Sequence, residues 1–281
     1  MISEEDMDFA KALNLTRTKL PLVQCITNIV TVNDCANIIL ASGGSPSMAQ
    51  DIREVEEAVS GVQALVCNLG AIEHLESMIL AGKQANRLGK PVVLDPVAAG
   101  GTQIRRDAVK RLLSEVHFAA IRGNASEIRA IAGQGAKGSG VDVSMLDEIK
   151  EDNLSEAVSM VQELAFRLST VIAVSGRIDL ISDGKQTIVL RNGCATMARI
   201  TGSGCMVTSL MGAVVGAMPE DPFRAACAAM AIMGVSGELA EARRIKNGTG
   251  NATFRNDLID AVFNLTEKQL VEGVNYEIFQ R

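Results

Sequence analysis

The sequence predicts an α/β domain whose sheet is mainly parallel and gains antiparallel strands at one edge. Two patterns and one compositional fact predict it. From residue 21 to 176 short β-branched runs alternate with helical stretches, the signature of βα units on a parallel sheet. After them, Asp183-Gly184 separates two apolar runs at 178–182 and 187–190, and a D-G step in that setting signals a hairpin. Aromatic residues make up only 3% of a chain that is 47% hydrophobic, so the core must be built from Ala, Val, Ile, Leu and Met, which suits close packing of helices on a sheet.

In order, the strand candidates are 23–26, 64–68, 92–95, 118–121 and 171–174. Each ends on a polar or glycine-containing turn: Thr27-Asn28, Asn68-Leu69-Gly70, Asp95-Pro96, Arg122-Gly123-Asn124 and Ser175-Gly176. Ligands of open α/β sheets bind beyond the carboxyl ends of the strands, so chemistry is sought at these turns. Past the hairpin the pattern turns helical, from 203 to about 217, from 222 to about 243, and from 252 to 265. No linker, low-complexity segment or 20 to 50 residue repeat interrupts the 281 residues, which read as one domain from 1 to 281.

Charge and cysteine usage exclude several classes of function. A net charge of −6 without a concentrated basic stretch argues against a nucleic-acid partner. The acidic start, Ser3-Glu4-Glu5-Asp6, is unlike a secretory leader. The apolar stretches at 205–218 and 225–235 fall short of the roughly 20 residues that span a bilayer and read as buried helices. Cys25, Cys35, Cys67, Cys194, Cys205 and Cys227 form no C-x-x-C pair, and His74 and His117 are the only histidines. Neither a zinc site nor a disulfide framework is expected, and the thiols read as small buried hydrophobes in a reducing cytoplasm.

Three constellations carry chemistry. Thr201-Gly202-Ser203-Gly204-Cys205 leads straight into a helix. Gly202, Ser203 and Gly204 bring backbone N–H groups and a helix start together as an anion hole, and the same dipole is expected to lower the Cys205 pKa from about 8.5 toward neutrality. A glycine-rich helix entry with a buried cysteine is the plain alternative. Asp95 stands at a strand end before Ala98-Ala99-Gly100-Gly101, where one carboxylate could serve Mg²⁺ with water and phosphate completing the shell, or simply hold a turn. Asn124 and Glu127 lie one helical turn apart, and the same spacing spells a capping box. The G-x-G-x-x-G match at 133–138 follows a helix instead of a strand, so it reads as a mobile loop and not a dinucleotide site. Walker A, G-x-S-x-G and H-E-x-x-H are absent, against P-loop NTPases, α/β-hydrolases and zincins.

Five short motifs occur in one order: I-T-N-x-V at 26–30, S-P-x-M at 45–48, D-P-V at 95–97, R-G-N-x-S-E at 122–127 and T-G-x-G-C at 201–205. Across about 21–250 the chain resembles the hydroxyethylthiazole kinases. The resemblance implies a three-layer α/β/α ribokinase-like fold, a homotrimer with sites at subunit boundaries, and ATP-dependent phosphorylation of 4-methyl-5-(2-hydroxyethyl)thiazole in thiamine biosynthesis or salvage. It places substrate contacts on Asn28, Met48 and Gly202, ATP contacts on Arg122 and Ser175, Mg²⁺-associated acids on Asp95 and Glu127, and the active-site cysteine on Cys205, where the wider ribokinase-like group usually has an Asp base. Ser175 stands where Thr is common, and Ser203 where Ala is frequent. A kinase for another small alcohol such as a hydroxymethylpyrimidine, and a nucleotide-binding module without turnover, are the competing readings.

Overall fold

The structure is a computed structural model that describes residues 7–133 and 149–280. The acidic start at 1–6, and the 133–138 motif beyond Gly133, lie outside the described residues. Six strands form the parallel part: β1 (Leu22–Ile26), β2 (Ser45–Ser47), β3 (Ala64–Asn68), β4 (Val92–Asp95), β5 (Ala120–Asn124) and β6 (Val171–Ser175). β7 (Asp179–Ser182), β8 (Gln186–Leu190) and β9 (Tyr276–Gln280) continue the same sheet antiparallel, in the order β2-β1-β3-β4-β5-β6-β7-β8-β9. The parallel register sets Asn68 beside Asp95 and Asn124 beside Ser175, so the carboxyl ends of these strands share one edge.

Two strands and one boundary differ from the sequence-based expectation. β2 is three residues long and contains Pro46, which is tolerated because the strand lies at the sheet edge. β9 is added by the chain end, where Tyr276 also meets Phe9 edge-on at 5.2 Å between ring centroids. β5 begins two residues later than expected and runs on through Arg122, Gly123 and Asn124, which the sequence reads as a turn. Those residues pair with Ala173, Val174 and Ser175. The predicted hairpin forms. Asp183 Oδ1 accepts the N–H groups of Lys185 and Gln186 at 2.8 and 2.9 Å, and Gly184 takes a φ of +89° that its missing Cβ permits.

Strand side chains alternate between two apolar layers, as the pleat requires. One face, with Cys25, Val66, Val93 and Ala173, packs on α1 (Phe9–Lys19), α2 (Val32–Ser42), α8 (Ser203–Ala217), α9 (Pro222–Asn247) and α10 (Asn251–Asn264). The other, with Leu65, Leu94, Ile121 and Val174, packs on α3 (Val55–Ser60), α4 (Leu75–Arg87), α5 (Gln103–Glu115), α6 (Ala125–Gly133) and α7 (Leu154–Leu168).

α8 is apolar all round because it is enclosed all round, lying between β1, β3 and β4 on one side and α1, α2 and α9 on the other. Leu210, Met211 and Val214 are each fully buried there, worth about 2 kcal/mol apiece. Gly212 lets the helix close on Val23 and Val66. The consequence is a rigid seat for the N-terminus of α8 at the carboxyl ends of β1, β3 and β4. α9 is longer than expected at 26 residues, long and apolar enough to cross a membrane by length and composition, but its apolar window is 83% buried inside the fold.

Candidate active site

Four elements converge on Cys205, the third residue of α8. Asn28, just beyond β1, donates from Nδ2 to Cys205 Sγ at 3.6 Å, and Asn68, the last residue of β3, donates to the same sulfur at 3.2 Å. Asn68 Nδ2 also reaches Asp95 Oδ2 at 2.9 Å, and Thr208, almost one turn further along α8, donates to that oxygen at 3.0 Å. Asp95 is 1% exposed. Burial pushes its carboxyl up to about 6, with Glu127 adding to the rise while the Arg122 cation and the bonds from Thr208 and Asn68 oppose it.

Cys205 departs from expectation. Burial pushes its thiol up, the Asp95 carboxylate adds to this, and hydrogen bonds to Thr31, Asn68 and Asn28 act in the opposite direction. The start of the helix favours the thiolate, but loss of water disfavours it, and desolvation dominates at a site this closed.

Arg122 closes the other side. The residue is 8% exposed and its guanidinium donates from Nη2 to Ser175 Oγ, while Nε is buried without a hydrogen-bond partner among the described residues. A Cβ on Gly204 would stand 2.7 Å from Arg122 Nη1, so the cation lies directly against the backbone of the glycine loop. Asp179, at the start of β7, accepts the Gly176 N–H at 2.8 Å, and burial pushes its carboxyl up to about 7 against the pull of Arg122. The cradle itself depends on Gly202, whose φ of +87° and approach to Thr31 (2.6 Å from a Cβ to Cγ2) exclude a side chain.

Glu127 forms the capping box that its spacing suggested: Oε2 accepts the Asn124 N–H at 2.9 Å and Asn124 Oδ1 accepts the Glu127 N–H at 3.0 Å. Oε1 also accepts the Ala98 N–H at 2.9 Å, tying the loop after Asp95 to α6. The Glu127 carboxylate also adds to the rise of the Asp95 pKa. No group of three or more potential metal ligands occurs among the described residues. The two carboxyl groups suit Mg²⁺ in donor type, an ion that takes one or two carboxylates and keeps most of its shell for water and phosphate.

Met48 lies one residue past β2, half-buried against the apolar cluster that includes α8. It shares the strand-end edge with Asn28 but no polar contact binds it to Cys205. Asn68, Thr208 and Asp179 also join the site and belong to none of the constellations that the sequence marks. Asn68 was visible only as a strand-end polar residue like Asp95, and Thr208 only by standing three residues after Cys205 on one helix.

Comparison with known proteins follows the same line. Residues 13–268 match the model of the hydroxyethylthiazole kinase family. A hydroxyethylthiazole kinase of Clostridium acetobutylicum is 44% identical over 262 residues, covering 92% of this chain and 95% of that protein. The solved hydroxyethylthiazole kinase protein of Pyrococcus horikoshii OT3 superposes with a TM-score of 0.84 at 32% identity, covering 97% and 99% of the two chains. A ribokinase-like superfamily protein of Enterococcus faecalis V583 shares the fold at 8% identity, with a TM-score of 0.61 and 89% of each chain covered. On the fold, the strand-end constellation and these likenesses together, the chain belongs to the hydroxyethylthiazole kinase family.

Proposed function

We propose that this chain moves the γ-phosphoryl group of ATP onto the hydroxyl of 4-methyl-5-(2-hydroxyethyl)thiazole, in thiamine biosynthesis or salvage. The observation that carries the reading is the convergence at one helix start of a thiol, a buried carboxylate and an arginine. Cys205 and Asp95 are joined through Asn68 there, and Arg122 lies on Gly204.

Phosphoryl transfer asks the protein mainly to align alcohol and phosphate and to neutralise charge. Arg122 and Ser175 steady the nucleotide, and the N–H groups of Gly202, Ser203, Gly204 and Cys205 receive the transferring oxygens. Asp95 and Glu127 would hold Mg²⁺, which would supply neutralisation of the phosphate charge. Cys205, as thiolate, takes the hydroxyl proton late in the step. Asn28, Met48 and Gly202 border the alcohol, Met48 offering a polarizable thioether to the ring. In a coupled ADP-release assay with Mg-ATP the thiazole alcohol should stimulate turnover well above the hydroxymethylpyrimidine alcohol. An equal or reversed preference contradicts the assignment.

We place the site at the boundary between copies in a homotrimer. Beside Asn28, Ile29 is 85% and Val30 71% exposed, an apolar rim at the pocket that a neighbouring copy would cover. Dilution into the dissociation range should lower specific activity, and a fully active monomer by light scattering would refute the arrangement. All six thiols are free, as suits a reducing cytoplasm.

A further inference from the structure

Asn68 is 2% exposed at the end of β3, opposite Asp95 in the parallel register. Its side-chain oxygen accepts the Gly70 N–H at 2.9 Å and Asn28 Nδ2 at 3.1 Å. A backbone N–H can only donate, so the amide cannot be turned end for end, and Nδ2 must face Asp95 Oδ2 at 2.9 Å and Cys205 Sγ at 3.2 Å. Both amide hydrogens are thereby assigned.

Asn28 is fixed by the same logic. Its Oδ1 accepts the N–H groups of Val30 and Thr31 at 3.1 and 3.2 Å, which turns its Nδ2 toward Asn68 Oδ1 and Cys205 Sγ. The cluster closes so tightly on Gly70 that a Cβ there would lie 2.6 Å from Asn68 Oδ1 and 2.8 Å from Asn28 Nδ2. The sulfur is met by two N–H donors, neither of which can become an acceptor. It can answer them only with lone pairs.

We infer that Asn68 is a positioning residue for phosphoryl transfer: its amide, locked by the Gly70 N–H, holds the Cys205 sulfur with a lone pair inward and fixes Asp95 at a set spacing from it. The inference rests on the function proposed above. It assigns to Asn68 a task that a strand-end turn residue does not have, because the turn needs only its oxygen while the sulfur needs its nitrogen.

Asn68→Asp separates the two. It keeps the shape and the oxygen that serves Gly70, and replaces the two N–H donors by a carboxyl oxygen, whose single proton, shared with the adjacent Asp95 carboxyl, leaves the sulfur without its donor. The expected result is a kcat lower by about ten- to a hundredfold, the range of a hydrogen bond to a charged group, with KM for ATP and for the thiazole alcohol within about threefold. A second readout needs no substrate: iodoacetamide alkylation of Cys205, in which the sulfur displaces iodide, followed peptide by peptide by mass spectrometry at fixed pH. Its rate should fall at least about threefold, in keeping with loss of an N–H bond to the thiolate.

A folded Asn68→Asp enzyme with wild-type kcat and alkylation rate overturns the inference. So does a loss of kcat with unchanged alkylation, since Asn68 would then not act through the sulfur. Should Asn68→Asp fail to fold by circular dichroism, Asn68→Ser, whose hydroxyl serves the turn but is too short to reach the sulfur, is read by the same two criteria. A wild-type enzyme inert toward the thiazole alcohol would defeat the proposed function, while the alkylation comparison would still decide the role of Asn68.

Discussion

Replacement of Cys205 by alanine should lower kcat by about one to three orders of magnitude, the range of general-base catalysis with residual electrostatic stabilisation left in place. The sulfur stands at the start of α8, held by Asn28 and Asn68, and no other side chain there combines a titratable group with that position. Serine should fare no better, because its hydroxyl is too weakly acidic to replace a thiolate. Aspartate should retain substantial activity, since the two amide donors that meet the sulfur suit a carboxylate equally well.

The sign of the pH dependence follows from burial. The Cys205 thiol is raised, so the thiolate is a minor species at neutral pH and wild-type activity should climb as pH rises above 7. Cys205→Asp should extend activity to lower pH, because a carboxylate is ionised where a raised thiol is not. Saturated kcat measurements from pH 5.5 to 9 decide the matter, and an alanine enzyme with unaltered kcat would reduce this cysteine to packing.

Arg122→Met should be the most damaging substitution on the nucleotide side, lowering kcat/KM for ATP by about two to three orders of magnitude. The change removes the cation that Asp95 and Asp179 both feel and that lies on the Gly204 backbone. Stability should respond with a definite sign. Both carboxyls have native pKa values raised above those of the unfolded chain, to about 6 and about 7. Their protonated forms are thus favoured by the fold, and the stability they contribute is present below about pH 4 and lost as pH rises through the native values. Without the cation these values rise further. Arg122→Met should therefore melt close to wild type at pH 5 and fall behind by about 3 kcal/mol at pH 8, an uncompensated buried charge being worth that much. Equal melting temperatures at both pH values, with unaltered ATP kinetics, would show that the guanidinium carries no such burden.

Much of this was legible in the sequence because the signals were local. Strand-end turns were marked by Asn28, Asp95 and Ser175, and the D-G hairpin was written into two residues. What escaped depends on long-range register. Arg122-Gly123-Asn124 reads as a turn until β6 is laid beside it, and Ser45–Ser47 is too short and Pro-containing to read as a strand before β1 supplies its ladder. Asn68 matters because the parallel pairing puts it beside Asp95 and under a helix 137 residues away in the chain. The direction of the Cys205 pKa is hidden for the same reason: a helix start can be read from glycines, whereas burial by three neighbouring elements cannot.

Phosphorylation of an alcohol at these strand ends can be read in ³¹P NMR of one reaction mixture. Incubated with Mg-ATP and 4-methyl-5-(2-hydroxyethyl)thiazole, the enzyme should generate ADP and an equal amount of a phosphate monoester whose signal couples to the adjoining CH₂ protons. Inorganic phosphate in place of the ester, or an ester formed only when a different alcohol is supplied, would rule out phosphoryl transfer to this thiazole.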